Sequence, residues 1–134
     1  MTNPIALIIE DDPKLAEIFT FAVQKAGFDI ETIHDGNSAV ARLAEICPSL
    51  VILDLHLPNV SGEQILQQIR ADERLAKTNV ILATADALTA DKLRAASNLV
   101  LLKPIDFSQL TNLAARFRPS QPSTSDDNMT NDGT

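Results

Sequence analysis

The chain has 134 residues, of which 45% are hydrophobic and 22% charged. That is enough for one compact domain, too little for two, and too apolar for global disorder. Eleven Lys and Arg stand against eighteen Asp and Glu, a formal charge of −7 that repels phosphate backbones and anionic lipid and so argues against direct binding of nucleic acid or membrane.

The elements follow in chain order. Ile5-Ala6-Leu7-Ile8-Ile9 is a continuous apolar run, the pattern of a strand buried on both faces. Leu15, Ile18, Phe19, Ala22, Val23 and Ala26 recur at helical spacing, and Gly27 sits where a helix stop is expected. Phe28 to Ile33 reads as a weaker strand. Ser38 to Ile46 is predicted helical and Pro48 follows its end. Leu50-Val51-Ile52-Leu53 is a fully apolar strand, and Ser61 to Arg70 a helix with Ile65, Leu66 and Ile69 turned inward. Asn79 to Ala83 is the fourth strand and Thr89 to Ala96 a short helix. Leu99 to Leu102 is the last strand, and Phe107, Leu110, Leu113, Ala114 and Phe117 mark a closing helix. Residues 1–118 thus form one domain. Residues 119–134, made of Ser, Thr, Asn, Asp, Pro, Gln, Gly and one Met, are predicted to be a disordered tail or linker.

No apolar run approaches the ~20 residues that span a bilayer. Met1-Thr2-Asn3-Pro4 lacks the basic start and apolar core of a signal peptide. Cys47 is the single cysteine, which excludes an internal disulfide and a Cys-rich metal site. The expectation is a soluble cytoplasmic protein.

Five strands alternating with five helices imply a parallel sheet covered on both faces. Such sheets place ligands outside the carboxyl ends of their strands, and the polar residues of this chain cluster there. Strand one ends in Glu10-Asp11-Asp12, strand three in Asp54, strand four in Thr84 and strand five in Lys103-Pro104. Three carboxylates brought together repel one another, so some take up protons or a cation joins them. Their hard oxygens suit Mg²⁺ better than Zn²⁺ or Cu²⁺. A divalent ion, an ammonium and a hydroxyl are what a transferring phosphoryl group requires, and a carboxylate can be its nucleophile.

The stretches Ile8-Ile9-Glu10-Asp11-Asp12, Val51 to Pro58, Ser61-Gly62, Ala83-Thr84-Ala85 and Leu102-Lys103-Pro104 resemble the receiver domain of two-component response regulators, over roughly residues 4–118. The resemblance implies a flavodoxin-like (βα)₅ fold with strand order 2-1-3-4-5. It implies Asp54 as phosphoacceptor, with Thr84 and Lys103 on the phosphoryl oxygens. Mg²⁺ would be held by Asp11, Asp54, the backbone carbonyl of His56 and, largely through water, Glu10. The Lys103-Pro104 bond would be cis. The donor would be a phosphohistidine on a sensor histidine kinase or phosphotransfer protein. The domain would act on its own aspartate, lose the phosphoryl group slowly, and switch its binding to a downstream protein.

Two positions depart from the pattern. Val100 stands where the family carries an aromatic ring three residues before the lysine, and the stretch from Thr84 to Lys103 is a few residues short. Both motivate an alternative, an interaction module indifferent to phosphorylation. A hydrolase with an aspartate nucleophile would need a second acid where His56 stands, and a flavin carrier would need a Trp or Tyr that this chain lacks. Asp12 before Pro13 is read as a helix cap, His34 as an edge-strand surface residue, and Cys47 as a small core or helix-end residue. Asp86 is placed to orient a hydrolytic water. Leu88, Leu93, Leu99 and Val100 offer either an apolar patch for a homodimer or ordinary core.

Overall fold

The computed structural model describes residues 3–119. The predicted tail lies outside the described residues, apart from Pro119. The elements are β1 (Ile5–Ile9), α1 (Pro13–Lys25), β2 (Asp29–Ile33), α2 (Gly36–Leu43), β3 (Leu50–Asp54), α3 (Gly62–Ala71), β4 (Asn79–Thr84), α4 (Ala87–Leu93), β5 (Leu99–Leu102) and α5 (Phe107–Ala115). Short 3-10 turns follow α3 at Glu73–Leu75 and α4 at Arg94–Ala96. All strand pairs are parallel, in the order β2-β1-β3-β4-β5, the flavodoxin-like arrangement expected from the sequence.

Alternation along the central strands sorts their side chains onto two cores. Ala6, Ile8, Leu50, Ile52, Ile81 and Ala83 face Phe19, Ala22 and Val23 of α1 and Leu110 and Ala114 of α5. Leu7, Ile9, Val51, Leu53, Val80 and Leu82 face Leu43 of α2, Ile65, Leu66 and Ile69 of α3, and Leu93 of α4. Burying each of the Val, Leu, Ile and Phe side chains among them contributes on the order of 1.5–3 kcal/mol. With neither sheet face wet, the continuous apolar runs of β1, β3 and β4 have a direct cause. β2 is one of the two edge strands, with Asp29 exposed and Ile30, Glu31 and Thr32 half-buried ahead of buried Ile33.

Each helix begins on a side chain that caps its free backbone N–H groups. Asp12 accepts from the N–H of Lys14 at 2.9 Å, with Pro13 opening α1. Asp35, Asp86 and Asp106 cap α2, α4 and α5. Ser61 and Gln64 form a reciprocal capping box on α3. These caps shift two helices from their predicted ranges. Asp35 holds the N–H of Ser38, so α2 starts at Gly36 rather than Ser38. At its other end the N–H groups of Glu45 and Ile46 both fold back to the Arg42 carbonyl, closing the helix at Leu43. Asp86 likewise starts α4 at Ala87 rather than Thr89.

The apolar quartet of the last third of the domain does not form one patch. Leu93 is buried, Val100 packs into the core under α2 and α3, and Leu99 packs into the core on the opposite sheet face. Only Leu88 is out in solvent, 78% exposed. Cys47 is exposed rather than core, with its sulfur 3.3 Å from the Arg74 guanidinium.

Candidate functional site

Register brings the polar strand ends to one level. Ile9 pairs with Leu53, so Glu10 and Asp54 follow side by side, while Asp54 pairs with Ala83 and Thr84 with Leu102. Lys103 is the next residue after that last pair. Glu10, Asp54 and Thr84 are buried, at 1%, 3% and 0% exposure, whereas Asp11 stands in solvent at the start of the loop. Carboxylate oxygens of Glu10, Asp11 and Asp54 lie within 4.8 Å of one another. Lys103 reaches into this group, its Nζ 3.0 Å from Glu10 Oε1 and 3.5 Å from Asp54 Oδ1. The Lys103-Pro104 bond is cis, as the resemblance implied.

Two acids buried beside one lysine leave a charge imbalance. Burial pushes the Glu10 carboxyl up to about 7; its hydrogen bond to Lys103 opposes this and the charge of Asp54 adds to it. Burial pulls the Lys103 ammonium down, but its bonds and attractions to Glu10 and Asp54 together outweigh that and raise it above the usual lysine value. The donors around the acids are all oxygen. A hard divalent cation that keeps several waters fits such a set, and soft or nitrogen-seeking metals do not.

Backbone contacts shape the rim. The N–H of Asp12 donates to Glu10 Oε2 at 3.2 Å, and that of His56 to Asp54 Oδ1 at 3.2 Å. The His56 ring points out, with its Nε2 3.8 Å from Asp86. Thr84 Oγ1 accepts from the N–H of Asp86 at 3.0 Å, and the N–H of Lys103 donates to the Thr84 carbonyl at 2.8 Å. The Asp86 carboxylate itself is engaged by the N–H and hydroxyl of Thr89, at 3.1 and 2.7 Å. These bonds, the backbone and hydroxyl of Thr89 before the charge of His56, hold it below the usual carboxylate range. Asp86 thus caps α4 in this structure.

Two residues shape the site without having been singled out for it. His34 is exposed as expected, yet its Nδ1 lies 2.9 Å from the Glu10 carbonyl, tying the end of the edge strand to the acidic loop. Gly62 lies against the backbone after β3. A Cβ there would come within 2.2 Å of the Asp54 carbonyl oxygen and 2.6 Å of Leu55 Cα. Its N–H donates to the Leu55 carbonyl at 3.1 Å. The glycine lets α3 press on the loop that presents Asp54. The motif Ser61-Gly62 carried that signal, but only packing shows what it is for.

The parallel five-stranded sheet in the order 2-1-3-4-5, with acids after β1, an acid at the end of β3 and a lysine after β5, defines a flavodoxin-like α/β domain with an acidic cluster at the carboxyl edge of its sheet. The chain belongs to the response regulator receiver domain family, whose model matches residues 6–115. It is 34% identical over 110 residues to the DNA-binding dual master transcriptional regulator RpaA of Synechocystis, a match covering 80% of this chain and 46% of that protein. The chain spans about half the length of the curated relatives it matches. Among solved structures it is similar to the receiver domain of sensor histidine kinase PA1611 from Pseudomonas aeruginosa PAO1, with 26% identity and a TM-score of 0.77 over 87% of this chain and 98% of that one. That structure has a magnesium ion coordinated in its active-site cleft. The chemotaxis response regulator CheY4 of Vibrio cholerae, at 21% identity and a TM-score of 0.78 over 87% and 99% of the two chains, shares the fold.

Proposed function

We propose that the domain, residues 1–118, accepts a phosphoryl group on Asp54 from a phosphohistidine of a sensor kinase or phosphotransfer protein and uses it to switch binding to a downstream protein. The observation that supports this most is the approach of Lys103 to both Glu10 and Asp54 within a cluster of three carboxylates. A carboxylate oxygen of Asp54 forms the new bond to phosphorus as the phosphorus–nitrogen bond of the donor breaks, and the imidazole leaves as a neutral ring that keeps the electron pair of that bond and the proton already on its other nitrogen. Water later attacks the same phosphorus, releasing inorganic phosphate and restoring the carboxylate. Glu10, Asp11, Asp54 and the His56 carbonyl would hold Mg²⁺, which when bound neutralises charge on the phosphoryl oxygens. Lys103 balances a further oxygen. The Thr84 hydroxyl, released from its bond to the Asp86 N–H, donates to another.

The donor would dock beside the site. Leu15, Ile18 and Phe19 of α1 with Pro104 and Ile105 line a mostly apolar hollow of about 480 Å³ next to Lys103. Ile18 and Phe21 on the same helix are 43% and 57% exposed. No helix among the described residues is long and apolar enough to cross a membrane; a cytoplasmic setting is part of the proposal. The DNA-binding activity of the curated relatives is not proposed for this chain, whose acidic balance opposes it; residues 119–134 are proposed as a tail or linker.

The test is incubation with acetyl phosphate and Mg²⁺ followed by intact-mass measurement. The reading expects a phosphoryl adduct that is absent without Mg²⁺ and absent in Asp54→Asn. Val100, half-buried at the aromatic position, favours the second reading of a phosphorylation-independent module. Equal partner affinity with and without beryllofluoride would select it.

A further inference from the structure

At the other end of the sheet, where β3 and β4 begin, a cavity of about 580 Å³ is bounded by the Cys47–Ser49 loop, the Arg74–Asn79 stretch and the Arg116–Pro119 end of the domain. Four of its eleven lining residues are basic, Arg74, Lys77, Arg116 and Arg118, and none is acidic. The chain as a whole has eighteen acids to eleven bases, so this segregation runs against its composition. Arg74 is held in place as a wall: its guanidinium donates to the Leu43 carbonyl at 2.7 Å, to Asp72 at 3.1 Å and to the Cys47 sulfur at 3.3 Å. Lys77, Arg116 and Arg118 are exposed and form no ion pair among the described residues. The Arg118 side chain lies over Gly27, where a Cβ would come 2.9 Å from its guanidinium carbon. Like charges gathered in one concavity repel, and a multivalent anion removes that repulsion while its oxygens take the guanidinium and ammonium donors.

We propose that this cavity binds a compact polyanion, a small molecule carrying two or more phosphate or carboxylate groups. The volume is far larger than a single tetrahedral ion requires and falls in the range of small-molecule sites. The half-buried ring of Phe117 in the lining offers an apolar wall for the body of such a molecule. The site is separate from the aspartate cluster: β3 and β4 put roughly 15 Å between their two ends.

The experiment is amide-resolved NMR titration of the full chain in chelator-containing buffer at about 150 mM salt, a Debye length near 8 Å, with pyrophosphate in one arm and citrate in the other. The proposal expects saturable shifts at the amides of Cys47, Ser49, residues 77–79 and residues 116–118 in at least one arm, and the stronger arm names the anion. The double variant Lys77→Gln, Arg116→Gln should weaken binding by about tenfold or more, since it removes two charged donors. It should still accept phosphoryl on Asp54. Shifts in neither arm, shifts undiminished in the double variant, or shifts centred on Glu10, Asp54 and Lys103 would overturn it.

Discussion

The two ends of this sheet carry opposite charge and draw on different parts of the chain. At the carboxyl ends of β1, β3 and β5, side chains follow directly on buried strands, so the register of the sheet sets their spacing. At the amino ends the basic groups come from a 3-10 turn, the loop behind it and the last residues beyond α5. In the first cluster Glu10 and Asp54 are buried and paired through Lys103, with Asp11 at the solvent edge. The second is exposed, and three of its four cations lack an acidic partner among the described residues. A strand end fixes a side chain by the whole sheet's hydrogen bonding, while a loop or frayed helix end fixes little more than a neighbourhood. Chemistry that depends on sub-ångström placement belongs at the first end; ionic capture of a soluble molecule tolerates the second.

The sharpest way to break the contrast is to disturb the packing behind the acidic end. Gly62→Ala drives a methyl into the backbone of Asp54 and Leu55, and neither neighbour is a flexible side chain that can yield. The expected loss is about 3 kcal/mol in urea unfolding, the upper range for overpacking. The same change should slow phosphoryl transfer by moving Asp54.

Next comes Lys103→Ala, which removes a half-buried cation from two buried acids. Loss of one preorganised charge of this kind lowers transfer rates by about 100-fold. Acetyl phosphate kinetics on the folded variant measure it, and Lys77→Gln at the opposite end should leave the same rate unchanged.

A smaller effect sharpens the electrostatic side. Burial raises the Glu10 carboxyl from 4.5 to about 7, so the folded chain binds a proton that the unfolded chain has released. The stability gained is fully present below about pH 4.5 and is lost as pH rises through about 7. In chelator-containing buffer the unfolding free energy should therefore fall by about 2 kcal/mol between pH 5 and pH 8 on account of Glu10. Denaturant titrations of the parent and of Glu10→Gln measure it; the slope in this window should flatten in the variant.

How much of this was legible beforehand follows from the same contrast. β1, β3, β4 and β5 were readable because a sheet covered on both faces leaves no polar residue inside its strands, and the first polar residue after each run marks its end. Glu10, Asp54 and Lys103 stand out for that reason. The start of α2 was misplaced because Asp35 caps Gly36 and Asn37, which carry no apolar signal; that of α4 was misplaced because Ala87 and Leu88, though apolar, face solvent and stand outside the buried stripe that begins at Ala90. The homodimer patch dissolved because Leu99 and Val100, adjacent in sequence, point to opposite faces of β5. Gly62 and His34 gained their roles only through packing. The basic cavity left no trace in pattern, since Arg74, Lys77, Arg116 and Arg118 share neither an element nor a period.

The central claim is that Glu10, Asp11, Asp54, Thr84 and Lys103 act as one phosphoryl-binding unit that needs a divalent ion. Amide spectra of the chain with beryllofluoride, recorded with and without Mg²⁺, test it most directly. The account predicts shifts at residues 10–12, 54–57, 84–87 and 103 that appear only with both reagents present and vanish in Asp54→Asn. Unchanged spectra with both reagents, or the same shifts in the Asp54→Asn variant, would contradict it.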